Sequence, residues 1–347
     1  MQTAESPMTT RPVRDSKAPL LEVDDLTMEY ETENGNVSAV VDVSFTLNSG
    51  EALGLVGESG CGKTSVAMSL LRLQADNARF RHGEVRLNGE NLLALPDAEM
   101  RAHRWSDISM VFQGAMNAWN PVQRVGDQIR EAMDLHIEPQ LTRVAARERM
   151  EELFNLVGVD PKMLDRYPHE FSGGMRQRAV IAMALSCDPQ VIIADEPTTA
   201  LDVIVQDQIL KQLKRIQHEF GMAMIYISHD IAVIAEVTDT IGVMYAGRIV
   251  ELGTTKEVFE RPKHPYSYLL LNSAPSITGP RRKLAPLKGE PPNLLNPPTG
   301  CRFHPRCPFA TEKCVVESPP PEDVGGGHLV ECWHWDQVPA ITEKGVA

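Results

Sequence analysis

The sequence predicts an α/β fold with a mixed sheet and a helical insertion, followed by a small irregular extension that carries cysteines. Three observations support this prediction. A strand, a glycine-rich loop and a helix follow one another over residues 51–73. Strand patterns and helix patterns then alternate as far as residue 273. Beyond about Ala274, frequent prolines interrupt regular structure and lead to a cysteine-bearing segment, Cys301 to Cys332.

Apolar periodicity assigns the individual elements. Val41, Val43, Phe45 and Leu47 alternate with polar residues, which predicts a strand with one buried face, and residues 20–28 pair nearby. Further strands are predicted at 51–56, 83–87, 108–112, 191–195 and 223–228, with a late hairpin turning at 246–247. Helices are predicted at 63–73, 128–133, 142–157 and 173–185, and after Asp202, where the apolar stripe is Ile209, Leu213, Ile216 and Phe220 and the stop is Gly221.

Composition limits the classes of partner. The chain has 347 residues, of which 42% are hydrophobic and 23% charged, as in globular proteins with more than one domain. Its net charge of −13 argues against nucleic acid as the main ligand. No apolar run approaches the roughly 20 residues of a membrane helix. Residues 1–19 are polar and lack an apolar signal core, which predicts a disordered tail and a cytoplasmic protein with reduced cysteines.

Residues 57–64 read Gly-Glu-Ser-Gly-Cys-Gly-Lys-Thr and match the pattern of a phosphate-binding loop. Glycines let backbone N–H groups turn toward phosphate oxygens, and the helix that starts near Lys63 adds its positive end. Lys63 can neutralise the β- and γ-phosphates, and the Thr64 hydroxyl can bind Mg²⁺. The alternative is a glycine-rich turn with a chance lysine. The predicted nucleotide-binding residues here are Gly57, Ser59, Gly60, Cys61, Gly62, Lys63, Thr64 and Ser65.

A second candidate site element is the apolar run 191–194, which ends in Asp195 and Glu196. Strand ends in α/β folds open onto the ligand crevice. Asp195 is therefore predicted to hold Mg²⁺, and Glu196 to polarise the water that attacks the γ-phosphorus. Taken alone, an acidic pair at a strand end is more often simply solvated, and only the upstream phosphate loop favours the catalytic interpretation.

The order of these motifs, with several others, resembles the ATP-binding-cassette (ABC) family over residues 20–275. Residues 171–178, Phe-Ser-Gly-Gly-Met-Arg-Gln-Arg, resemble its signature motif, although Met175 stands where glutamine is usual. Residues 200–202, Ala-Leu-Asp, resemble its D-loop. The resemblance implies a phosphate-loop cassette with an antiparallel β subdomain and a helical subdomain at about 115–188. It also implies roles for an adenine-stacking Tyr30, a Mg²⁺-sensing Gln113, a catalytic His229, the D-loop Asp202, and the signature residues Ser172, Gly173, Gly174 and Met175.

In this family two cassettes share each ATP, because the signature helix of one chain binds the γ-phosphate held by the other. The single phosphate loop in this sequence therefore implies a second ATPase subunit. A related but distinct chain is the usual partner, and a homodimer is the alternative. The resemblance also implies two transmembrane permease subunits, docked near residues 116–125 with Trp119, and an extracytoplasmic solute-binding protein. The chain would then lie peripherally on the cytoplasmic side of the cell membrane.

Two further stretches, 264–270 (His-Pro-Tyr-Ser-Tyr-Leu-Leu) and 300–308 (Gly-Cys-Arg-Phe-His-Pro-Arg-Cys-Pro), resemble the ATPases of oligopeptide and dipeptide importers. We call residues 276–347 the C-terminal extension. Peptide is the favoured solute, and an oligosaccharide or nickel is the alternative. A soluble cassette ATPase of DNA repair or translation is a second class, but the long inserts or second cassette typical of that class are absent from this sequence.

Four cysteines lie in a segment too short and proline-rich to form its own core: Cys301, Cys307, Cys314 and Cys332. In a reducing compartment a metal holds such a segment more plausibly than disulfides do. Five, six and seventeen residues separate successive cysteines, whereas structural zinc sites typically have pairs of cysteines with only about two to four residues between them. Similar segments in peptide-importer ATPases carry a [4Fe–4S] cluster, which the resemblance therefore implies. Zinc, or no metal, remain the alternatives.

Overall fold

The computed structural model describes residues 18–114, 118–137, 139–199, 201–273 and 287–341, with only the backbone of Ala232. Most of the predicted N-terminal tail, Met116 of the predicted docking stretch, Ala200 of the D-loop and the prolines Pro280 and Pro286 lie outside the described residues.

The elements alternate between strands and helices along the chain. In order they are β1 (Leu21–Thr32), β2 (Gly35–Leu47), β3 (Ala52–Val56), α1 (Lys63–Leu71), β4 (Ala78–Leu87), β5 (Glu90–Asn91), α2 (Asp97–His103), β6 (Ile108–Val111), α3 (Val125–His136), α4 (Arg143–Leu156), α5 (Gly173–Ala184), β7 (Val191–Asp195), α6 (Val203–Phe220), β8 (Ala223–Ser228), α7 (Ile231–Ala235), β9 (Thr240–Tyr245), β10 (Arg248–Thr254), α8 (Thr255–Glu260), α9 (Pro265–Ser273), α10 (Glu312–Val316), β11 (Glu322–Asp323) and β12 (Leu329–Val330).

The chain divides into two compact units. The helical unit comprises Asn48–Glu51 and Ala94–Tyr226. The phosphate-loop unit comprises Leu20–Leu47, Ala52–Leu93 and the chain from Ile227 onward.

In the helical unit, helices α2 to α6 accompany parallel strands. β6 and β7 are parallel, with Ile108 opposite Val191. All residues of both strands are buried, and such continuous apolar burial is typical of parallel strands covered on both faces. Helices α4 and α6 begin at side-chain caps, because Thr142 accepts from the N–H of Ala145 and Asp202 from that of Val205.

In the phosphate-loop unit two sheets are present, one antiparallel and one mixed. The antiparallel sheet has the order β2-β1-β4-β5, and the mixed sheet contains β11-β12-β10-β9-β3. β3 is parallel to β9, whereas β9 and β10 form the antiparallel hairpin predicted at Ala246 and Gly247. The predicted α/β class, with a mixed sheet, an antiparallel β subdomain and a helical insertion, is confirmed.

Strands of the C-terminal extension join this mixed sheet. β12 pairs with β10, with Val330 opposite Glu251, and β11 pairs with β12. The buried Glu251 carboxylate accepts the backbone N–H groups of Lys263 (2.6 Å) and His264 (2.9 Å). Its Oε1 lies 2.8 Å from Nε2 of His328. The extension is therefore integrated into the unit by backbone pairing and a buried polar network.

Several element boundaries differ from the sequence prediction. β4 begins at Ala78 rather than 83, because Arg79 and Arg81 obscure the apolar alternation while pairing across the strands with Glu31 and Glu29. The strand predicted at 108–112 ends at residue 111, and α3 extends past both predicted ends. The helix stop at Gly221 is confirmed by its left-handed φ of 63°. No helix in the described ranges has the length and apolarity needed to cross a bilayer.

Candidate functional site

The phosphate loop connects β3 to α1 by backbone conformations that favour glycine. Gly57, Gly60 and Gly62 have φ values of 153°, 79° and 107°. At Gly62 a Cβ atom would lie 2.3 Å from the carbonyl oxygen of Ala39, so no larger residue fits without moving backbone. Gly62 is also the N-cap of α1 and offers no side chain to cap it. The start of the helix therefore presents backbone donors suited to an anion.

Lys63 lies at the centre of this loop and is only 6% exposed. Its Nζ donates to the carbonyl oxygens of Gly57 (2.7 Å) and Glu58 (3.0 Å) and lies 3.6 Å from Sγ of Cys61. Burial raises the pKa of the Cys61 thiol, so that side chain is neutral beside the ammonium group. A buried cation among backbone amides fits the binding of a polyphosphate.

Two other predicted nucleotide-binding residues meet beside the loop. The Oη of Tyr30, on β1, is 3.3 Å from Oγ of Ser65, in the first turn of α1. Thr64 is exposed at the same turn. The structure therefore brings the predicted aromatic residue to the helix that follows the phosphate loop.

Glu196 is held by two side chains at the end of β7. Its Oε2 accepts from Nε2 of Gln113 (2.8 Å) and from Oγ1 of Thr199 (2.8 Å). Glu196 itself has a positive φ of 46°, a conformation that is uncommon for a residue other than glycine. Asp195, immediately before it, is buried. The predicted Mg²⁺ ligands Gln113 and Asp195 therefore flank the predicted catalytic carboxylate within the helical unit.

The signature residues form the start of α5, as predicted. Ser172 is the N-cap, and its Oγ accepts from the N–H of Met175 (3.3 Å). At Gly174 a Cβ would lie 2.9 Å from Cγ1 of Val205, in the first turn of α6. The N-cap of α6 is Asp202, the described acidic residue of the predicted D-loop. The two helix starts therefore approach each other closely, and this contact requires glycine.

His229 follows directly after β8 and is exposed. The next N–H, that of Asp230, donates to Oγ of Ser228 (3.0 Å) and shapes the turn there. This places the predicted catalytic histidine at the end of a strand, where a side chain is accessible to a ligand.

The four cysteines of the C-terminal extension line one pocket, with Phe303, Phe309 and Trp333 around them. All four are free thiols. Burial raises the pKa of Cys301, that of Cys307 to about 11 and that of Cys332 to about 12. The N–H of His334 lies 3.4 Å from Sγ of Cys332, a contact that stabilises a thiolate. The predicted cluster of cysteines is thus formed by the fold.

The described apolar side chains of the predicted docking stretch differ in their exposure. Trp119, which we expected to face a partner, is only 6% exposed. Val122, three residues later, is 79% exposed. Burial of its large apolar ring in the helical unit argues against Trp119 as a docking residue, and docking near residues 116–125 stays a prediction.

Sequence reasoning missed the partners of Glu58, the second residue of the phosphate loop. Glu58 contacts Tyr266 of α9 and Arg306 of the extension. Both partners lie in the motifs at 264–270 and 300–308, which carried a family resemblance but no assigned role. No local pattern links them to the loop, because the contacts join residues far apart in the sequence.

Comparisons with known proteins agree with this geometry. Residues 40–199 match the family described as ABC transporter, and residues 250–314 match the family described as oligopeptide/dipeptide transporter, C-terminal region. The chain is 46% identical over 316 residues to the oligopeptide transport ATP-binding protein OppD of Salmonella typhimurium, covering 90% of this chain and 93% of that one. It is 45% identical over 321 residues to the dipeptide transport ATP-binding protein DppD of Bacillus subtilis, covering 92% and 95%.

A solved dimeric structure of a bacterial ABC transporter cassette is also similar. It superposes with a TM-score of 0.61 at 25% identity, covering 68% of this chain and 98% of that one.

Proposed function

Because this chain belongs to the ABC transporter family, in the group of oligopeptide and dipeptide transport ATP-binding proteins, we propose that it hydrolyses ATP to power the import of peptides through separate permease subunits. The observation that carries this proposal is the combination of a glycine-built phosphate loop around buried Lys63 with the importer-type C-terminal region.

The residues of the ATP site have distinct proposed roles. Lys63 and the loop amides bind the phosphates, and Tyr30 stacks on the adenine. Glu196 accepts the proton of the attacking water, and His229 donates to the γ-phosphate. Thr64, Gln113 and Asp195 offer the hard oxygen ligands that Mg²⁺ prefers, and the ion would neutralise charge on the phosphates.

A second cassette completes each site in this proposal. Ser172, Gly173, Gly174 and Met175 would bind the γ-phosphate held by the partner, since a helix start with a serine N-cap suits an anion. ATP then favours the closed pair because it contacts both chains only there, and hydrolysis removes that preference. We favour a related but distinct ATPase as the partner.

The chain would act peripherally at the cytoplasmic face of the cell membrane, with two permease subunits and an extracytoplasmic binding protein. Co-expression with the candidate permeases tests this. We expect the complex to co-purify, and a peptide-loaded binding protein to stimulate its ATPase activity in lipid nanodiscs. If an oligosaccharide or nickel stimulated the ATPase activity and peptides did not, the proposed substrate class would be that solute instead of peptides. Failure to associate with any permease would refute the transport role.

Exposed Val122 provides a test of docking. Val122→Asp is expected to leave the ATPase activity of the isolated chain within about twofold of wild type, since surface substitutions change stability little. Solute-stimulated ATPase activity and transport should fall at least fivefold, because a charge would enter an apolar contact. The matched control is Val144→Asp, which alters another exposed valine of the helical unit. If the wild type, Val122→Asp and Val144→Asp transported solute equally well, the docking surface would lie elsewhere.

For the four cysteines, we propose a [4Fe–4S] cluster. A zinc ion with Zn–S bonds of about 2.3 Å would bring its thiolates to roughly 3.8 Å from one another. Among the described residues, no three of the four sulfurs approach within 4.8 Å of one another. A four-iron cluster binds each thiolate through a different iron, so it suits wider spacing. The surrounding aromatic rings would exclude water from it.

Anaerobic purification tests this cluster. We expect brown protein with close to four iron and four sulfide per chain, and loss of both in Cys332→Ser. The control is Cys187→Ser, which removes a buried thiol of the helical unit and should leave the iron content unchanged. Stoichiometric zinc without iron, or protein free of any metal, would contradict the proposal.

A further inference from the structure

Every polar group of Glu58 in the phosphate loop is held by a specific partner. Its carboxylate accepts two hydrogen bonds from Arg306, Nη1 to Oε2 at 2.6 Å and Nη2 to Oε1 at 3.1 Å. Its backbone N–H donates to Oη of Tyr266 at 2.9 Å. Its carbonyl oxygen accepts from Nζ of Lys63 at 3.0 Å. The Gly57–Glu58 peptide, whose carbonyl accepts from Lys63 and whose N–H donates to Tyr266, is therefore oriented jointly by the loop lysine and by a residue downstream of the loop.

Arg306 is held in place by contacts with groups other than Glu58. Its side chain is only 6% exposed, and it also donates to the carbonyl oxygens of Lys288 and Gly289. Its guanidinium lies 5.7 Å from the centre of the Tyr245 ring. A two-bond arginine–carboxylate pair fixes direction as well as distance. Low exposure also protects it from the screening that makes surface ion pairs weak.

Tyr266 is equally constrained. It is fully buried, and its ring centre lies 4.6 Å from that of Tyr245 and 5.4 Å from that of Phe303. Burial lowers the pKa of His264 to about 3, so its ring is neutral and Nδ1 accepts the N–H of Tyr266 at 3.0 Å. The hydroxyl that receives the Glu58 N–H is thus carried by a rigid side chain.

These contacts matter to nucleotide binding because Lys63 uses the same peptide. The ammonium group bridges the carbonyls of Gly57 and Glu58. If the Glu58 peptide rotated, it would withdraw one partner of Lys63 and shift the neighbouring backbone donors. A binding site whose donors are already oriented loses less free energy on binding than one that must order them.

We propose that Glu58 is a positioning residue of the phosphate loop, through which Arg306 and Tyr266 set its affinity for nucleotide. This inference rests on the proposed function, since it requires the loop to bind ATP. The inference gives residues 264–266 and the C-terminal extension a role in the ATP site.

The test is a double-mutant cycle in the full-length chain, read by binding of a fluorescent ATP analogue. Arg306→Ala and Glu58→Gln are each expected to raise Kd about five- to tenfold, the size of the net contribution of a typical hydrogen bond. The double variant should bind the analogue no more weakly than the single variant with the higher Kd, because the two substitutions remove the same contact. Tyr266→Phe, which keeps the ring, should raise Kd about threefold.

The matched control is Arg147→Ala, which removes another two-bond arginine–carboxylate pair, with Asp165 (2.8 and 3.0 Å). It should leave Kd within twofold of wild type. In the positioning variants, KM for ATP should rise while kcat at saturating ATP changes less, and the thermal midpoint and iron content should match wild type.

Three results would overturn the inference: an unchanged Kd in Arg306→Ala, additive effects in the double variant, or Kd changes that merely follow loss of thermal stability. Absence of ATP binding by the wild-type chain would instead refute the proposed function itself. The series therefore separates the two failures.

Discussion

Glu196→Gln is expected to reduce ATP turnover by roughly 10²- to 10⁴-fold, the range of a general base, while ATP affinity stays within about threefold of wild type. Glutamine preserves the size of the side chain, and its oxygen can still accept from Gln113 or Thr199. It cannot take a proton from water. Steady-state phosphate release and binding of a fluorescent nucleotide measure the two quantities separately.

The same variant should accumulate a closed pair of cassettes. With Mg²⁺, ATP and the partner ATPase present, its size-exclusion profile is expected to shift to the dimer, because the nucleotide that joins the chains persists. Glu219→Gln, at an exposed position of α6, is the matched control and should behave as wild type. Turnover near the wild-type rate in Glu196→Gln would remove this residue from its proposed role.

Lys63→Ala is expected to weaken ATP binding and to lower kcat/KM by on the order of 100- to 1,000-fold, as when a donor to a developing anion is removed. The ammonium group is buried, and the carbonyls of Gly57 and Glu58 would lose their donor. Isothermal titration with ATP and steady-state kinetics measure the loss.

Lys256→Ala controls for charge, since Lys256 is exposed in the same unit. Thermal melting without nucleotide controls for folding. Wild-type kinetics in a folded Lys63→Ala protein would end the assignment of residues 57–64 as the catalytic phosphate loop. If both kcat/KM and the melting temperature of Lys63→Ala fell, the loss of activity would reflect lower stability. Lys63→Arg, which keeps the charge, would then separate lower stability from loss of charge.

The sequence predicted those parts of the fold that local rules determine. Positive φ at Gly62 and Gly221 and the hairpin at Ala246 follow from the conformations that short segments permit. The two-residue period of β2 follows from one-sided burial. The roles of Glu196 and His229 stay predictions, because they rest on the order of motifs and have not been tested.

Other features could not be read from the sequence because they depend on tertiary contacts. Arg306 and Glu58 are 248 positions apart, and neither residue has a local pattern that identifies its partner. Burial of the Trp119 ring was not predicted, since no apolar periodicity around it indicates which side is buried. β4 was predicted too short, because its arginines appear polar until their cross-strand glutamates are known.

The pairing of β12 with β10 determines what happens when the chain is shortened. A gene shortened near residue 275 would still encode the phosphate loop and the signature helix, yet its product would carry an open sheet edge at β10 and a buried Glu251 carboxylate without His328. Open edges recruit other chains, and the loss of one hydrogen-bond partner of a buried carboxylate destabilises the fold. The extension is thus not a detachable accessory, and truncated forms are expected to aggregate.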